Sequence, residues 1–167
     1  MEIFRVKWMK RRKKLRDSYF DGYEYKGYRV KTKLVIEGHG KYKPLKIGSP
    51  DDVYRAFKKL GECDRERFYS ILLDTKNKVI GVDMVSQGSL DSTLVHPREV
   101  FKSALLASAS SIIFVHSHPS GDPEPSEIDR ELTKKLKEVG KLLDISVLDH
   151  VIIGRDKYYS FKKEDEL

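Results

Sequence analysis

Residues 112–129 read IIFVHSHPSGDPEPSEID. The apolar residues 112–115 predict a buried strand that brings His116 to its end. Because alternate residues of a strand point to the same face, the imidazoles of His116 and His118 lie on one side. The prolines that follow prevent the strand from continuing and delay the next helix. Asp129 then falls in the first turn of that helix, where the helix dipole favours a carboxylate that can face back to the histidines.

This spacing, H-x-H-x7-S-x2-D, is typical of a catalytic metal site. Two imidazoles and a carboxylate can hold one zinc ion and leave its fourth position for water. A structural zinc is usually closed by four protein ligands, often thiolates, and Cys63 is the only cysteine of the chain. The predicted ligands are therefore His116, His118 and Asp129. Taken alone, Ser126 and Asp129 would be read as a capping box, but the paired histidines favour a metal.

The composition sets broad limits on the class of protein. A chain of 167 residues is most simply one domain with an extension. No apolar run is long enough to span a membrane, and the N-terminus lacks the apolar core of a signal peptide. A cytoplasmic location is the default expectation, and a single cysteine, which cannot form an internal disulfide, is compatible with it.

Positive charge is concentrated in the first third of the chain. Residues 1–50 contain 15 Lys/Arg and 5 Asp/Glu, whereas residues 51–167 contain 18 and 21. We expect a basic arm over residues 1–17 and a β-hairpin within 18–47, so that residues 1–48 precede a domain spanning 49–167. The arm is suited to DNA or another polyanion, although a solvated tail explains the same charges.

The remaining elements alternate between helices and strands, which predicts an α/β or α+β domain around one mixed sheet. Two helices are expected before the metal motif, one from Ser49 to Gly61 and one from His96 to about Ser108. A third begins at Ser126 and closes at Gly140. The other strands are expected at residues 68–74, 79–86, 147–153 and 158–161.

Four segments carry a resemblance to a known family: residues 66–74, 92–101, 116–129 and 147–154. The motif at 116–129 matches the JAMM motif of the JAB/MPN metalloprotease superfamily, and the wider context resembles its RadC branch over about residues 49–161. Ser117 stands where RadC-like chains often have Asn. A short basic segment replaces the N-terminal helical region of longer RadC-like chains.

The resemblance implies a curved mixed sheet flanked by helices, similar to the cytidine-deaminase architecture. It implies that His116, His118 and Asp129 bind Zn²⁺, which activates water to cleave a peptide or isopeptide bond. Ser126 would hydrogen-bond the oxyanion or the water. Glu66 would be the general base by its position in the family pattern, with Glu99 as the rival.

Other functions remain open from the sequence. A DNA-associated role in repair or mobile-element biology would use the basic arm, and a non-catalytic MPN scaffold disagrees with the intact ligand set. Deaminase chemistry lacks its His-x-Glu and Pro-Cys-x-x-Cys elements, and zincin chemistry lacks His-Glu-x-x-His. His150 is expected to be a core histidine, with support of the metal site or contact with substrate as the alternative. The oligomeric state and the substrate cannot be read from the sequence.

Overall fold

The computed structural model describes residues 46–88 and 95–167, which contain three α-helices and five strands. The predicted basic arm, and the predicted hairpin except for its last two residues, lie outside this range. Among the described residues, no helix is long and apolar enough to cross a membrane. The elements are α1 (Pro50–Phe57), β1 (Glu66–Leu73), β2 (Val79–Gly88), α2 (Pro97–Leu106), β3 (Ser111–Ser117), α3 (Glu127–Leu142), β4 (Ser146–Ile153) and β5 (Tyr158–Ser160).

The five strands form one mixed sheet in the order β2-β1-β3-β4-β5. β3 and β4 are parallel, and the other neighbours are antiparallel. Parallel neighbours need a crossover, and α3 is the helix between these two strands. The prediction of a mixed sheet flanked by helices is confirmed.

Both faces of the sheet are buried, and they have separate cores. On one face, residues from β1 and β3 pack with Phe101 of α2 and Leu136 of α3. On the other, residues from β1, β3 and β4 pack with Val53 of α1. Every residue of the central strand β3 is buried, which accounts for the continuous apolar run before His116. His116 alternates with Ile112 and Phe114, so its side chain lies on the face covered by α2 and α3.

Strand β1 begins two residues earlier than predicted. Glu66 pairs with Gly88, and β2 accordingly extends past the predicted end at Ser86. The backbone N–H of Arg67 also donates a hydrogen bond to the buried hydroxyl of Ser117, at 3.2 Å. Glu66 thus belongs to a strand end, whereas its local sequence, Asp64-Arg65-Glu66-Arg67, is typical of a solvated turn.

The predicted end of α3 at Gly140 was wrong, because the helix continues to Leu142. A Cβ on Gly140 would lie 2.7 Å from the carbonyl oxygen of Ile145 and 2.8 Å from Val147. This glycine, inside the helix, therefore permits α3 to pack closely against Ile145 and Val147. The helix ends beyond it, where Asp144 adopts a φ of 55° and the N–H of Ile145 returns to the carbonyl of Gly140.

Candidate metal centre

Three ligand atoms converge from the end of β3, the loop after it and the first turn of α3. Nε2 of His116 lies 3.5 Å from Oδ1 of Asp129, and Nε2 of His118 lies 3.5 Å from Oδ2. The three atoms used as ligands are all within 4.8 Å of one another. A tetrahedral zinc ion with ordinary bond lengths spaces its ligands about 3.4 Å apart. The triad therefore has the dimensions of a site for one ion.

His116 supplies the most specific sign of a ligand position. Its side chain is fully buried, and Nδ1 lies 3.1 Å from Nε2 of His150. The opposite nitrogen, Nε2, is buried without a hydrogen-bond partner among the described residues. Burial, followed by the neighbouring His150, holds the pKa of His116 well below its usual range. A neutral imidazole with an unpaired buried nitrogen is the form that binds a metal, and an ion would satisfy that nitrogen.

His118 is positioned by the proline-rich loop. Its Nδ1 lies 2.8 Å from the carbonyl oxygen of Asp122. Because a carbonyl oxygen can only accept, Nδ1 carries the proton, and Nε2 faces Asp129. Burial alone would lower the pKa of His118. The hydrogen bonds that His118 donates to the Asp129 carboxylate and the Asp122 carbonyl, together with the negative charges of Asp129 and Glu66, outweigh burial and raise the pKa. The N–H of His118 also donates to the carbonyl of Ile153, which anchors the loop to the end of β4.

Asp129 and Ser126 form a capping box at the start of α3. The backbone N–H and the hydroxyl of Ser126 donate to Oδ2 of Asp129 at 2.8 and 2.6 Å. Burial would raise the pKa of Asp129, but His118, His116 and Ser126 together lower it, so the carboxylate stays ionised. The single hydroxyl proton of Ser126 is directed at the carboxylate. Ser126 therefore orients a candidate ligand in this arrangement, and the capping and metal-site interpretations apply to the same pair.

The structure brings Glu66, and not Glu99, to the candidate centre. A pocket of about 210 Å³ is lined by Glu66, His118, Ser126 and Asp129, with Pro119, Ser120 and Ile128 completing its walls. Among the described residues, Glu99 is not part of that lining. It lies on α2 with its side chain 46% exposed and a carboxylate oxygen 2.6 Å from Nζ of Lys102. The half-buried Glu66 is the acid that faces the same space as the proposed ligands.

Comparison with known families agrees with this geometry. The model of the RadC-like JAB domain matches residues 47–167, a range that contains the triad and Glu66. The chain belongs to the RadC-like JAB domain family. This confirms the resemblance read from the JAMM motif.

The chain is also similar to proteins from several organisms, each called a UPF0758 protein. The relative from Methanosarcina mazei is 54% identical over 120 residues, which are 71% of this chain and 52% of the relative. That from Finegoldia magna is 48% identical over 118 residues, 70% of this chain and 53% of the relative. That from Thermotoga maritima is 46% identical over 124 residues, 74% and 56% of the two chains. The chain thus spans about half the length of these relatives.

Two further residues contact the triad. His150 was expected to be a core histidine, with support of the metal site as an alternative; it is fully buried, and it contacts His116. The signal was Asp149-His150, a polar pair inside an apolar strand. Thr133 bonds both His150 and the backbone of Asp129. Only its spacing, one turn after Asp129, placed it on the same helix face.

Proposed function

We propose that this chain is a JAMM-type zinc hydrolase that cleaves a peptide or isopeptide bond, with His116, His118 and Asp129 as the metal ligands. The observation that carries this proposal is the triad itself. Three candidate ligand atoms converge on one point, and one of them is a buried nitrogen that makes no hydrogen bond among the described residues. Glu66 lines the same pocket, as a general base requires.

Each residue has a distinct task in this scheme. Zinc, when bound, supplies Lewis acidity, which acidifies a water molecule and polarises the scissile carbonyl. Glu66 accepts the proton of the attacking water at its carboxylate and passes it to the leaving amine. Ser126 keeps Asp129 in its ligand orientation through the 2.6 Å hydrogen bond. A hydrogen bond from Ser126 to the oxyanion, which the family resemblance implies, requires its hydroxyl to turn away from Asp129.

Metal analysis tests the proposal without knowledge of the substrate. Protein purified without chelators should contain about one zinc ion per chain. Iron should be measured in the same samples, because two histidines and one carboxylate also bind Fe(II) in oxygenases. His118→Ala should lose the metal. A wild-type protein that takes up no zinc when supplied with it would rule out the zinc-hydrolase assignment, and stoichiometric iron would redirect it.

The general base is tested with two matched substitutions. Glu66→Gln should keep the zinc but reduce cleavage of a peptide library by roughly 10²- to 10⁴-fold, because the water loses its proton acceptor. Glu99→Gln removes an equal charge from a position on α2 that does not line the pocket, and should retain wild-type turnover. If Glu66→Gln cleaves as fast as the wild type, the proton acceptor is another group.

We infer a second candidate function from the charge distribution. The excess of basic residues in positions 1–50, 15 Lys/Arg against 5 Asp/Glu, would give the chain affinity for DNA or another polyanion. Such a role in repair or mobile-element biology is compatible with the hydrolase assignment, since it would use a different part of the chain.

A further inference from the structure

A chain of three hydrogen bonds joins two of the proposed ligands through residues that the JAMM motif does not contain. Nδ1 of His116 lies 3.1 Å from Nε2 of His150. Nδ1 of His150 lies 2.6 Å from the hydroxyl oxygen of Thr133. That hydroxyl is also 2.6 Å from the backbone carbonyl oxygen of Asp129. This series of hydrogen bonds therefore begins on β3, passes through β4 and ends on α3 at the backbone of a second ligand.

The positions of the protons follow from the last contact. The Asp129 carbonyl can only accept, so the one hydroxyl proton of Thr133 is donated to it. Thr133 must then accept from His150, which places the proton of that imidazole on Nδ1. Nε2 of a neutral His150 is consequently an acceptor, and His116 donates from its own Nδ1. This leaves Nε2 of His116 with a lone pair, and it is this atom that is buried without a hydrogen bond.

The surroundings hold the ring of His150 in one orientation. Phe161 stacks on it with centroids 5.1 Å apart and an interplanar angle of 6°, and Phe114 meets it edge-on at 6.1 Å. The N–H of Phe161 donates to the carbonyl oxygen of His150, which ties the stacked ring to β4. A fully buried imidazole between aromatic rings is favoured in its neutral form.

We propose that His150 is a positioning residue that fixes His116 as the Nδ1-protonated tautomer and aims its Nε2 lone pair at the metal. The proposal rests on the metal site of the proposed function, but it does not depend on the substrate or on hydrolysis. Partners of this kind set the tautomer and orientation of ligating histidines, and their loss weakens metal binding about 10- to 100-fold.

The tautomers are measured first in the metal-free protein. Long-range ¹H–¹⁵N correlation spectra of chelator-treated wild type should show both His116 and His150 protonated at Nδ1. This readout reports the hydrogen-bond polarity directly, whether or not the protein hydrolyses anything. A proton on Nε2 of His116 in the wild type would overturn the proposal.

Three variants then separate positioning from packing. His150→Phe keeps a planar ring but removes the acceptor, so His116 should lose its fixed tautomer and zinc should bind about 10- to 100-fold more weakly. His150→Gln can return an acceptor near the position of Nε2 and should recover part of the affinity. Phe101→Leu perturbs the same core without touching His150, and should lower the melting temperature while leaving the His116 tautomer and zinc affinity unchanged.

Thr133→Val provides a milder test if His150→Phe does not fold. It keeps the shape of the side chain but removes the hydroxyl, so the Nδ1 proton of His150 loses its acceptor. Zinc affinity should fall several-fold, and the His150 tautomer should become mixed. Wild-type affinity in a folded His150→Phe or Thr133→Val variant would overturn the positioning role. An Nδ1-protonated His116 in a wild type that binds zinc but cleaves nothing would instead count against the hydrolase assignment alone.

Discussion

Two serines of this chain occupy the same local motif but have different surroundings. Ser49 and Ser126 each precede a helix, and each forms a reciprocal capping box with an aspartate three residues later. The backbone N–H of the serine lies 3.0 Å from Oδ2 of Asp52 in the first case and 2.8 Å from Oδ2 of Asp129 in the second. Only Asp129 also faces two imidazoles. The chain thus contains its own control for what a Ser-x-x-Asp cap does without a metal site.

Substitution of each serine by alanine should separate the capping role from the ligand-orienting role. Either change should destabilise the fold by about 1 kcal/mol, because each removes an N-cap. Ser126→Ala should in addition weaken zinc binding by roughly tenfold, since Asp129 loses a 2.6 Å hydrogen bond. Chemical denaturation and zinc titration of both variants measure the two effects. Equal zinc affinity in Ser126→Ala and Ser49→Ala would show that the hydroxyl does not support Asp129.

At the residue scale, the sequence predicts what depends on local spacing. The H-x-H pattern predicts two imidazoles on one side of a strand end, and one loop separates them from Asp129, so the convergence of the three residues is predictable from the sequence. The contact of His150 with His116 is different in kind. It depends on the parallel register of β3 and β4, which sets His150 beside Phe114 and cannot be read from local spacing. The contact of Thr133 with His150 likewise depends on how α3 packs against β4, and no local pattern in the sequence indicates it.

Three glycines bring the metal-site loop close to its supporting elements. Gly154, which follows β4, contacts the carbonyl of Gly121 so closely that a Cβ on it would overlap that oxygen and lie 2.8 Å from Pro123. A Cβ on Gly61 would likewise overlap the carbonyl of Gly154. Gly121 has a φ of 86°, in the left-handed region. The loop that carries the Asp122 carbonyl to His118 therefore packs closely against the backbone that follows β4.

Gly154→Ala should consequently disturb the metal site as well as the fold. The added methyl group has to displace Gly121 or Pro123, at a cost of about 1–3 kcal/mol for overpacking. The shifted loop should move the Asp122 carbonyl away from His118 and weaken zinc binding by roughly tenfold. Gly48→Ala is the matched control, because the nearest atom to its Cβ would be 3.6 Å away. A lower melting temperature with unchanged zinc affinity in Gly154→Ala would show that His118 does not depend on this close packing.

At the element scale, the order and type of the helices and strands were predictable, but some boundaries were not. Caps and prolines define the starts of α1 and α3 in the sequence, and both predictions agree with the structure. Gly140 was a misleading stop signal, because its function is close contact with Ile145. The beginning of β1 was missed because Glu66 and Arg67 are charged. They extend the strand through pairing with β2 and through the Ser117 hydroxyl, which are non-local contacts.

At the scale of the whole molecule, the excess positive charge and the candidate metal ligands lie in different parts of the sequence. Residues 51–167, which contain the entire candidate centre, have 18 Lys/Arg and 21 Asp/Glu, whereas the net charge of the chain is +7. The sequence alone establishes this asymmetry, and the predicted boundary near residue 48 stays a prediction. The candidate ligands and Glu66 all lie in residues 51–167, so zinc binding should be independent of the basic residues before them. Any binding of DNA should be independent of the metal.

Substitution of Arg11, Arg12, Lys13 and Lys14 by glutamine tests this division. If the basic residues neutralise phosphates, affinity for a short DNA duplex should fall. The slope of the logarithm of the binding constant against the logarithm of the salt concentration, measured between about 50 and 200 mM, should become shallower by up to about 0.9 per lost phosphate contact. Zinc content should not change.

A variant with Lys134, Lys135, Lys137 and Lys141 of α3 changed to glutamine removes the same charge from exposed positions and should bind DNA nearly as the wild type does. Equal losses in both variants, measured by fluorescence anisotropy, would mean that total charge and not the N-terminal segment governs binding. Wild-type DNA affinity in the first variant would show that these four residues do not contact DNA.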